Sequence, residues 1–548
     1  MTDEHISSWK DIFKGSELII FGLVISIVLV FMNSFTNDFV SDDIGSVVES
    51  AKITDLGSAI VNGSLANVLF SVIHTFAGLH SFIYHFNSVF WHIGVSILVF
   101  FIIRILSNNK NLAAICAFLF ALHPLHTEAV SWISGLPYLL YSFFGLLSFL
   151  LFILVDKILI KKVWVIPSAI LAYISYFSSE KAIMLSLLFF LYVVVFSSWK
   201  KRIGIFVPII ITTLLYGLKL SGRIGQRIID VNPAVSGGTV VFNPIIQIPV
   251  AITMYLKLLF IPLGLTLYHE DLTFNIYQFL FFLAITLLLI IITLIFLFKK
   301  KRMLFFACAF FVIALSPTLL PIQISWVVAE RYMYLPSLGF IIVVAYGLLK
   351  LKEWNTRVFW SFLTILLIVY SILTIRRNLE WTNQDTLWVA TIRESPSSTL
   401  ALNNIGDYYG RHGDITQAIA AFQRAIEIRP TYAEATHNLG NAYALSGDAT
   451  KAAQMYQRAL QLKPTLIESA VNLAAIYAQR NDYVTAEKYL FKALEVNPNS
   501  PIVMRAYAAY LYQQGKKDQA IAILQKILTL YPNNIDAQQS LQYIMSQK

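Results

Sequence analysis

From Leu18 to about Ile375 the chain alternates apolar runs of spanning length with short polar breaks, and beyond Arg376 no such run remains. About 20 apolar residues cross ~30 Å of hydrocarbon as a helix, so this region predicts a transmembrane bundle. Candidate spans fall at roughly 17–35, 87–106, 111–130, 137–158, 163–178, 182–198, 204–220, 243–263, 276–298, 303–320, 336–352 and 358–375. No small-x-small cleavage site follows the first run, so it is expected to stay as a span. Lysines and arginines in short loops orient spans toward the cytoplasm. The clusters Arg104/Lys110, Lys157–Lys162, Lys200–Arg202 and Lys299–Arg302 all fit that side only if one of the three candidates between the last two does not cross. Segment 243–263, interrupted by Pro244, Pro249 and Pro262 and carrying Lys257, is the expected re-entrant or broken helix. Eleven crossings then remain, with the acidic loop 36–86 and everything after 375 on the outer face.

The region after 375 has a different period. Pro396, Pro430, Pro464, Pro498 and Pro532 recur every 34 residues, the period of tetratricopeptide helix pairs. Gly406, Gly440, Ala474 and Ala508 are small where two helices of a pair cross, and Ala418, Ala452, Ala486 and Ala520 repeat the demand on the second helix. Tyr409, Tyr443 and Tyr477 fill the space between units. The expected organisation is all-α: a membrane domain over 1–375, a linker over 376–398, and a repeat solenoid over 399–548 with a covering helix at about 535–546. Solenoids present extended ligand surfaces, so the repeat groove is expected to take a protein or peptide.

Composition agrees: the chain is 57% hydrophobic and 13% charged, whereas soluble domains are about a quarter charged. The net charge of +10 sits in clusters separated by membrane, which argues against a continuous nucleic-acid face. Cys116 and Cys308 lie in apolar runs and read as small buried hydrophobes. No Walker loop, dinucleotide glycine pattern or nucleophile elbow occurs in a supporting context, so an activated donor is expected to arrive through the membrane.

Three clusters carry candidate chemistry. Asp42 and Asp43 follow the first span, where one carboxylate suits a general base and the other orients it; a helix cap is the bland alternative. His123, His126 and Glu128 lie near the outer end of the third candidate span, where ionisable groups are costly unless paired or functional. They read better as a hydrogen-bonded brace than as a metal site, and no metal site is expected. Arg331, with Glu330 beside it, suits a phosphate, and Arg223 and Arg227, in the outer loop before the broken segment 243–263, are further phosphate candidates.

In their order along the chain these segments resemble a known family. Asp42-Asp43, Asn87 with His92, Phe120–Val130, Ala329-Glu330-Arg331 leading to Tyr334–Phe340, and Arg377-Asn378 with Trp381 resemble the transmembrane and tetratricopeptide-repeat-containing O-mannosyltransferases of the GT-C superfamily. The resemblance implies a polyprenyl- or dolichyl-phosphate sugar donor and transfer to serine or threonine hydroxyls of proteins on the external or lumenal face. It also implies Asp42 and Asp43 as the catalytic pair and Arg331 on the donor phosphate. Two segments depart from the family pattern: Gly135-Leu136-Pro137-Tyr138 replaces a Gly-Arg-x-Asp stretch, and Ser179-Glu180-Lys181 stands where a Lys-Glu pair is expected. The competing readings are a transferase that modifies a glycan or lipid, and a non-catalytic membrane-anchored scaffold. A carrier would show internal repeats among its spans. The compact length and the absence of a terminal retention tetrapeptide favour a bacterial inner membrane over an endoplasmic reticulum.

Overall fold

The computed structural model describes residues 12–50, 56–62, 64–157, 159–197, 199–230, 243–267, 269, 274–319 and 328–547; at 61, 62, 199–203 and 222–230 it describes the backbone alone. All regular structure among these residues is helical, and they fall into two compact units that meet in sequence between Ser395 and Pro396.

Among the described residues of the first unit seven helices are long and apolar enough to cross a membrane: Glu17–Thr36, Ser81–Ser107, Ile133–Asp156, Gly204–Ser221, Ile276–Phe298, Arg302–Leu319 and Thr356–Glu380. An eighth is the pair Lys110–Leu122 and Pro124–Ser131, bent by 54°. Of the eleven crossings expected, these cover eight; the expected span at 336–352 is the 18-residue helix Ser337–Trp354. The candidates at 163–178 and 182–198 are helices of 14 and 12 residues, Val165–Ser178 and Leu185–Phe196, each short of the ~30 Å a crossing needs at 1.5 Å per residue. Pro244–Phe260, the segment not expected to cross, is a short apolar helix of 17 residues with Pro249 inside it. Hydropathy counts apolar residues without regard to whether lipid or protein buries them, and in these segments part of the apolar surface faces neighbouring helices.

Ser81–Ser107 is the centre of the bundle, with 72% of its apolar window buried, whereas Ile276–Phe298 has 6% buried. Helix Ser337–Trp354 crosses Arg302–Leu319 at Gly339, where an added Cβ would stand 2.8 Å from the Phe311 nitrogen and overlap the Ala307 carbonyl. Only glycine permits that backbone contact, the usual device for close helix packing in lipid.

The expected linker is structured. The last apolar helix runs on to Glu380, and Gln384–Glu394 follows, opened by an Asn383–Thr386 capping box and burying Leu387 and Trp388. The apolar run stops at Ile375, but Arg377 is neutralised by glutamates, so the helix continues where hydropathy ends.

The second unit contains four helix pairs and a closing helix: Thr399–Arg411 with Ile415–Ile428, Ala433–Leu445 with Ala449–Leu462, Ile467–Gln479 with Tyr483–Val496, Pro501–Gln513 with Lys517–Leu530, and Ile535–Ser546. The turn inside each pair needs a left-handed residue, supplied by Gly413, Gly447, Asn481 and Gly515 at 34-residue spacing. Asp414, Asp448 and Asp482 then cap the second helix by accepting from the N–H three residues on. An added Cβ on Gly406 or Gly440 would stand 2.6 Å from the ring of Phe422 or Tyr456, which explains the small residue at each crossing.

Candidate active site

The loop after the first span is fastened at one end of the bundle. The Asn37 amide donates to the Asn378 carbonyl at 3.2 Å, and the Asp38 N–H donates to the Thr382 carbonyl at 2.8 Å. The chain then turns at Ser41, whose φ is +55°. Asp43 is fully buried: one carboxylate oxygen accepts the Val40 N–H at 3.1 Å, and the other accepts the Ser134 N–H at 2.7 Å and the Ser134 hydroxyl at 2.5 Å. Burial pushes its carboxyl up to about 7, although the Ser134 and Val40 donors pull it down. Asp42, next along the chain, is exposed. The pair therefore divides into a buried anchor and an open carboxylate. Asp43 does not cap the short helix that follows it.

The His-Pro segment is not one helix, so His123 and His126 do not share a helical face. Pro124 disfavours helical backbone at His123, which is extended, and residues Pro124–His126 form a tight turn before Thr127–Ser131. Both nitrogens of each ring are engaged. His123 Nε2 faces the Leu259 carbonyl at 3.2 Å and its Nδ1 accepts the Leu125 N–H; His126 faces the Phe120 carbonyl at 2.8 Å and the Ser337 hydroxyl at 2.9 Å. His92 joins them through the Tyr334 hydroxyl at 2.7 Å. The histidines brace four helical segments. Among the described residues no group of three His, Cys, Asp or Glu is placed to hold a metal.

Glu128, buried, receives the Arg331 guanidinium and, at 2.8 Å, the Arg331 N–H. Arg331 is thus held by a carboxylate 203 residues away and not by its neighbour Glu330. Adjacent residues on a helical turn point apart, and Glu330 faces the other way, accepting the Thr266 N–H and the Arg377 guanidinium at 3.3 Å. Arg377 continues to Glu380, and Glu380 to Arg393, which also pairs with Glu394. Charges of opposite sign alternate along this chain, which is how buried ions are kept affordable in energy. Beside it, the Lys181 ammonium donates to the Tyr138 hydroxyl at 2.6 Å and lies 3.9 Å from the centre of the Tyr332 ring. Arg331 lies 5.2 Å from the Trp132 ring, which in turn faces Trp381.

The structure thus brings Asp42, Asp43, His123, His126, Glu128, Glu330 and Arg331 to linked segments of one unit. Arg223 and Arg227 fall in helix Trp199–Asp230, where their side chains lie outside the described residues. Ser134 and Glu380 were missed, and Arg377 was noted only as part of the family resemblance. Ser134 carries no signal by residue type, and the two charges end an apolar helix, where they read as a membrane boundary.

Comparisons with known proteins now bear on this arrangement. A tetratricopeptide repeat model matches residues 403–467, and a second matches 444–509 and 477–542. The human protein O-mannosyl-transferase TMTC3 is 22% identical over 74% of this chain and 51% of its own length. The Drosophila melanogaster protein O-mannosyl-transferase Tmtc2 is 37% identical over 20% of this chain and 12% of its own length. The chain is similar to the protein O-mannosyl-transferases. It spans about half the length of the human O-mannosyl-transferase it matches. A tetratricopeptide repeat protein of Thermus thermophilus aligns with 33% of this chain and 94% of its own at 19% identity, with a TM-score of 0.28.

Proposed function

We propose that the chain is a multi-pass membrane glycosyltransferase that moves a mannose-like sugar from a polyprenyl- or dolichyl-phosphate donor to serine and threonine hydroxyls of proteins, with Asp42 as general base. The observation that carries this reading is the division of labour in the acidic pair: Asp43 is buried and locked to Ser134, which leaves Asp42 as the exposed carboxylate. In the proposed step the acceptor hydroxyl gives its proton to Asp42, and its oxygen forms a bond to the anomeric carbon. The bond from that carbon to the phosphate oxygen breaks, its electron pair leaves with the phosphate, and configuration inverts. Asp43 is a positioning residue here.

The chain leaves the membrane unit at the end that carries the acidic loop, since Asp38 bonds Thr382 and helix Gln384–Glu394 follows directly. This continuity supports repeats on the acceptor side, which we assign to the external or lumenal face, in a bacterial inner membrane in preference to an endoplasmic reticulum. Asn404, Asn438 and Asn472 recur at the repeat period and stay half-buried, with Asn438 bonded to Asn403 and Asn472 to Asn441. Such a row of amides suits the main chain of an extended acceptor peptide.

The test is transfer of radiolabelled sugar from polyprenyl-phosphate donors to a peptide pool by purified protein. Asp42→Asn is expected to lower the rate by 10²-fold or more, as loss of a general base does. Transfer to a glycan or lipid alone would replace the protein acceptor. No transfer with any donor would leave the scaffold reading in its place.

A further inference from the structure

The arginines of this ion-pair chain are all matched. Arg331 has Glu128, Arg377 has Glu330 and Glu380, and Arg393 has Glu380 and Glu394. Lys181 makes no ion pair among the described residues. Its ammonium is held by the Tyr138 hydroxyl and by the Tyr332 face, 2.6 Å and 3.9 Å away, and the residue as a whole is half-buried. An ammonium has three N–H donors; the hydroxyl takes one and the ring accepts by its face. An anion is the natural ligand for the donor that is left.

A second relation places this cation against the acidic loop. Ser134 and Tyr138 both stand at the start of span Ile133–Asp156, four residues apart. Ser134 lies in the turn Ile133–Gly135 and Tyr138 in the first turn of the helix that follows it, Leu136–Asp156. Asp43 is fastened to the first and Lys181 to the second. Asp43 and the ammonium of Lys181 are thus anchored to residues four apart in sequence, at the same end of one span.

We infer that Lys181, steered by Tyr138 and seated on Tyr332, binds the phosphate of the lipid-linked sugar donor; this rests on the reading above that such a lipid is the donor. The chemistry fits the position. The donor is a phosphodiester with one negative charge, and the departing lipid phosphate is a monoester that gains a second. A fixed cation at that oxygen favours the transition state over the bound donor. Arg331, the phosphate candidate from sequence, already has a carboxylate partner in Glu128. Burial lowers the Lys181 ammonium to about 8, which leaves it charged at neutral pH, and a bound phosphate would raise it again.

The experiment uses the full chain in lipid nanodiscs, with initial rates against donor concentration and native mass spectrometry of bound polyprenyl phosphate carrying no sugar. Lys181→Gln is expected to raise the donor KM at least tenfold with the acceptor KM unmoved, and to lose bound polyprenyl phosphate, while Lys181→Arg keeps both within about threefold. Equal donor KM and equal lipid binding in wild type and Lys181→Gln overturn the inference. Should Lys181→Gln fail to fold, Tyr138→Phe decides, since it keeps the ammonium and removes its steering: an unchanged donor KM overturns the site. Wild type that transfers no sugar, yet binds polyprenyl phosphate only with Lys181 present, sinks the proposed function and leaves the site standing. Displacement of the lipid by phosphatidylglycerol vesicles or by inorganic phosphate, at the same concentration as by polyprenyl phosphate, assigns a general anion site and overturns the donor assignment.

Discussion

The two units of this chain hold themselves together by opposite means. In the membrane unit the decisive bonds join residues far apart in sequence: Arg331 to Glu128 over 203 residues, Asn37 to Asn378 over 341, and the Asn378 amide to the Val30 carbonyl over 348. In the repeat unit the same short-range contact recurs one period later. The Gln423 amide donates to the Tyr443 hydroxyl, and the Gln457 amide to the Tyr477 hydroxyl, each over 20 residues. The reason is the solvent. In lipid, apolar surface gains little by turning inward, so polar bonds and close backbone contacts must specify which helices meet. In water, burial supplies the drive, and the sequence needs only to repeat a shape that stacks.

Breaking the comparison at its strongest point should have the largest effect. Glu128→Gln strands the Arg331 guanidinium in the bundle and is expected to cost about 3–5 kcal/mol. The readout is the fraction of protein surviving a heating step in detergent, and the double variant with Arg331→Met should recover part of the loss. A single variant as stable as wild type would show that the pair does not specify the fold.

Gly440→Val tests the other unit. Its side chain would be driven into the Tyr456 ring, at an expected cost of about 1–3 kcal/mol. Hydrogen exchange should quicken in 433–462 and the adjoining pairs only, whereas Glu128→Gln should quicken exchange in the segments around both Glu128 and Arg331. Exchange spreading across the first unit in Gly440→Val would erase the contrast.

The smallest expected effect is on pH dependence. Asp43 carries a carboxyl raised from 3.8 to about 7 by burial. A raised acid binds its proton more tightly in the folded state than in the unfolded one. Its contribution to stability is therefore full below about pH 4 and lost as pH rises through 7. Wild type should survive heating better at pH 5 than at pH 8 by a margin that Asp43→Asn removes. An identical margin in the variant would show that other groups set the slope.

The repeat period, its small residues and its helix ends were legible in the sequence because each rule is local and restated every 34 residues. The membrane unit was legible in kind and less so in count, since hydropathy does not distinguish lipid from protein around helices such as Leu185–Phe196. The candidate residues His123, His126, Glu128 and Arg331 stood out by type, as ionisable groups in apolar surroundings do. Their partners did not. Sequence adjacency pointed to Glu330 for Arg331, whereas the fold supplies Glu128. Tyr138 and Lys181 were visible only as departures from a family pattern, yet the fold places one against the other.

Helix Ile276–Phe298 carries a further consequence. It is the most apolar of the spans, with a mean hydropathy of 3.2 over its window, and protein covers almost none of it. Its 23 residues measure about 34 Å, slightly more than a typical hydrocarbon layer. Bilayer thickness, acting through tilt, thus sets the pose of this helix more than any neighbouring side chain does. Beside it stands Pro244–Phe260, whose Leu259 carbonyl meets His123. The lipid around this protein is in that sense a structural component, one that changes whenever the membrane does.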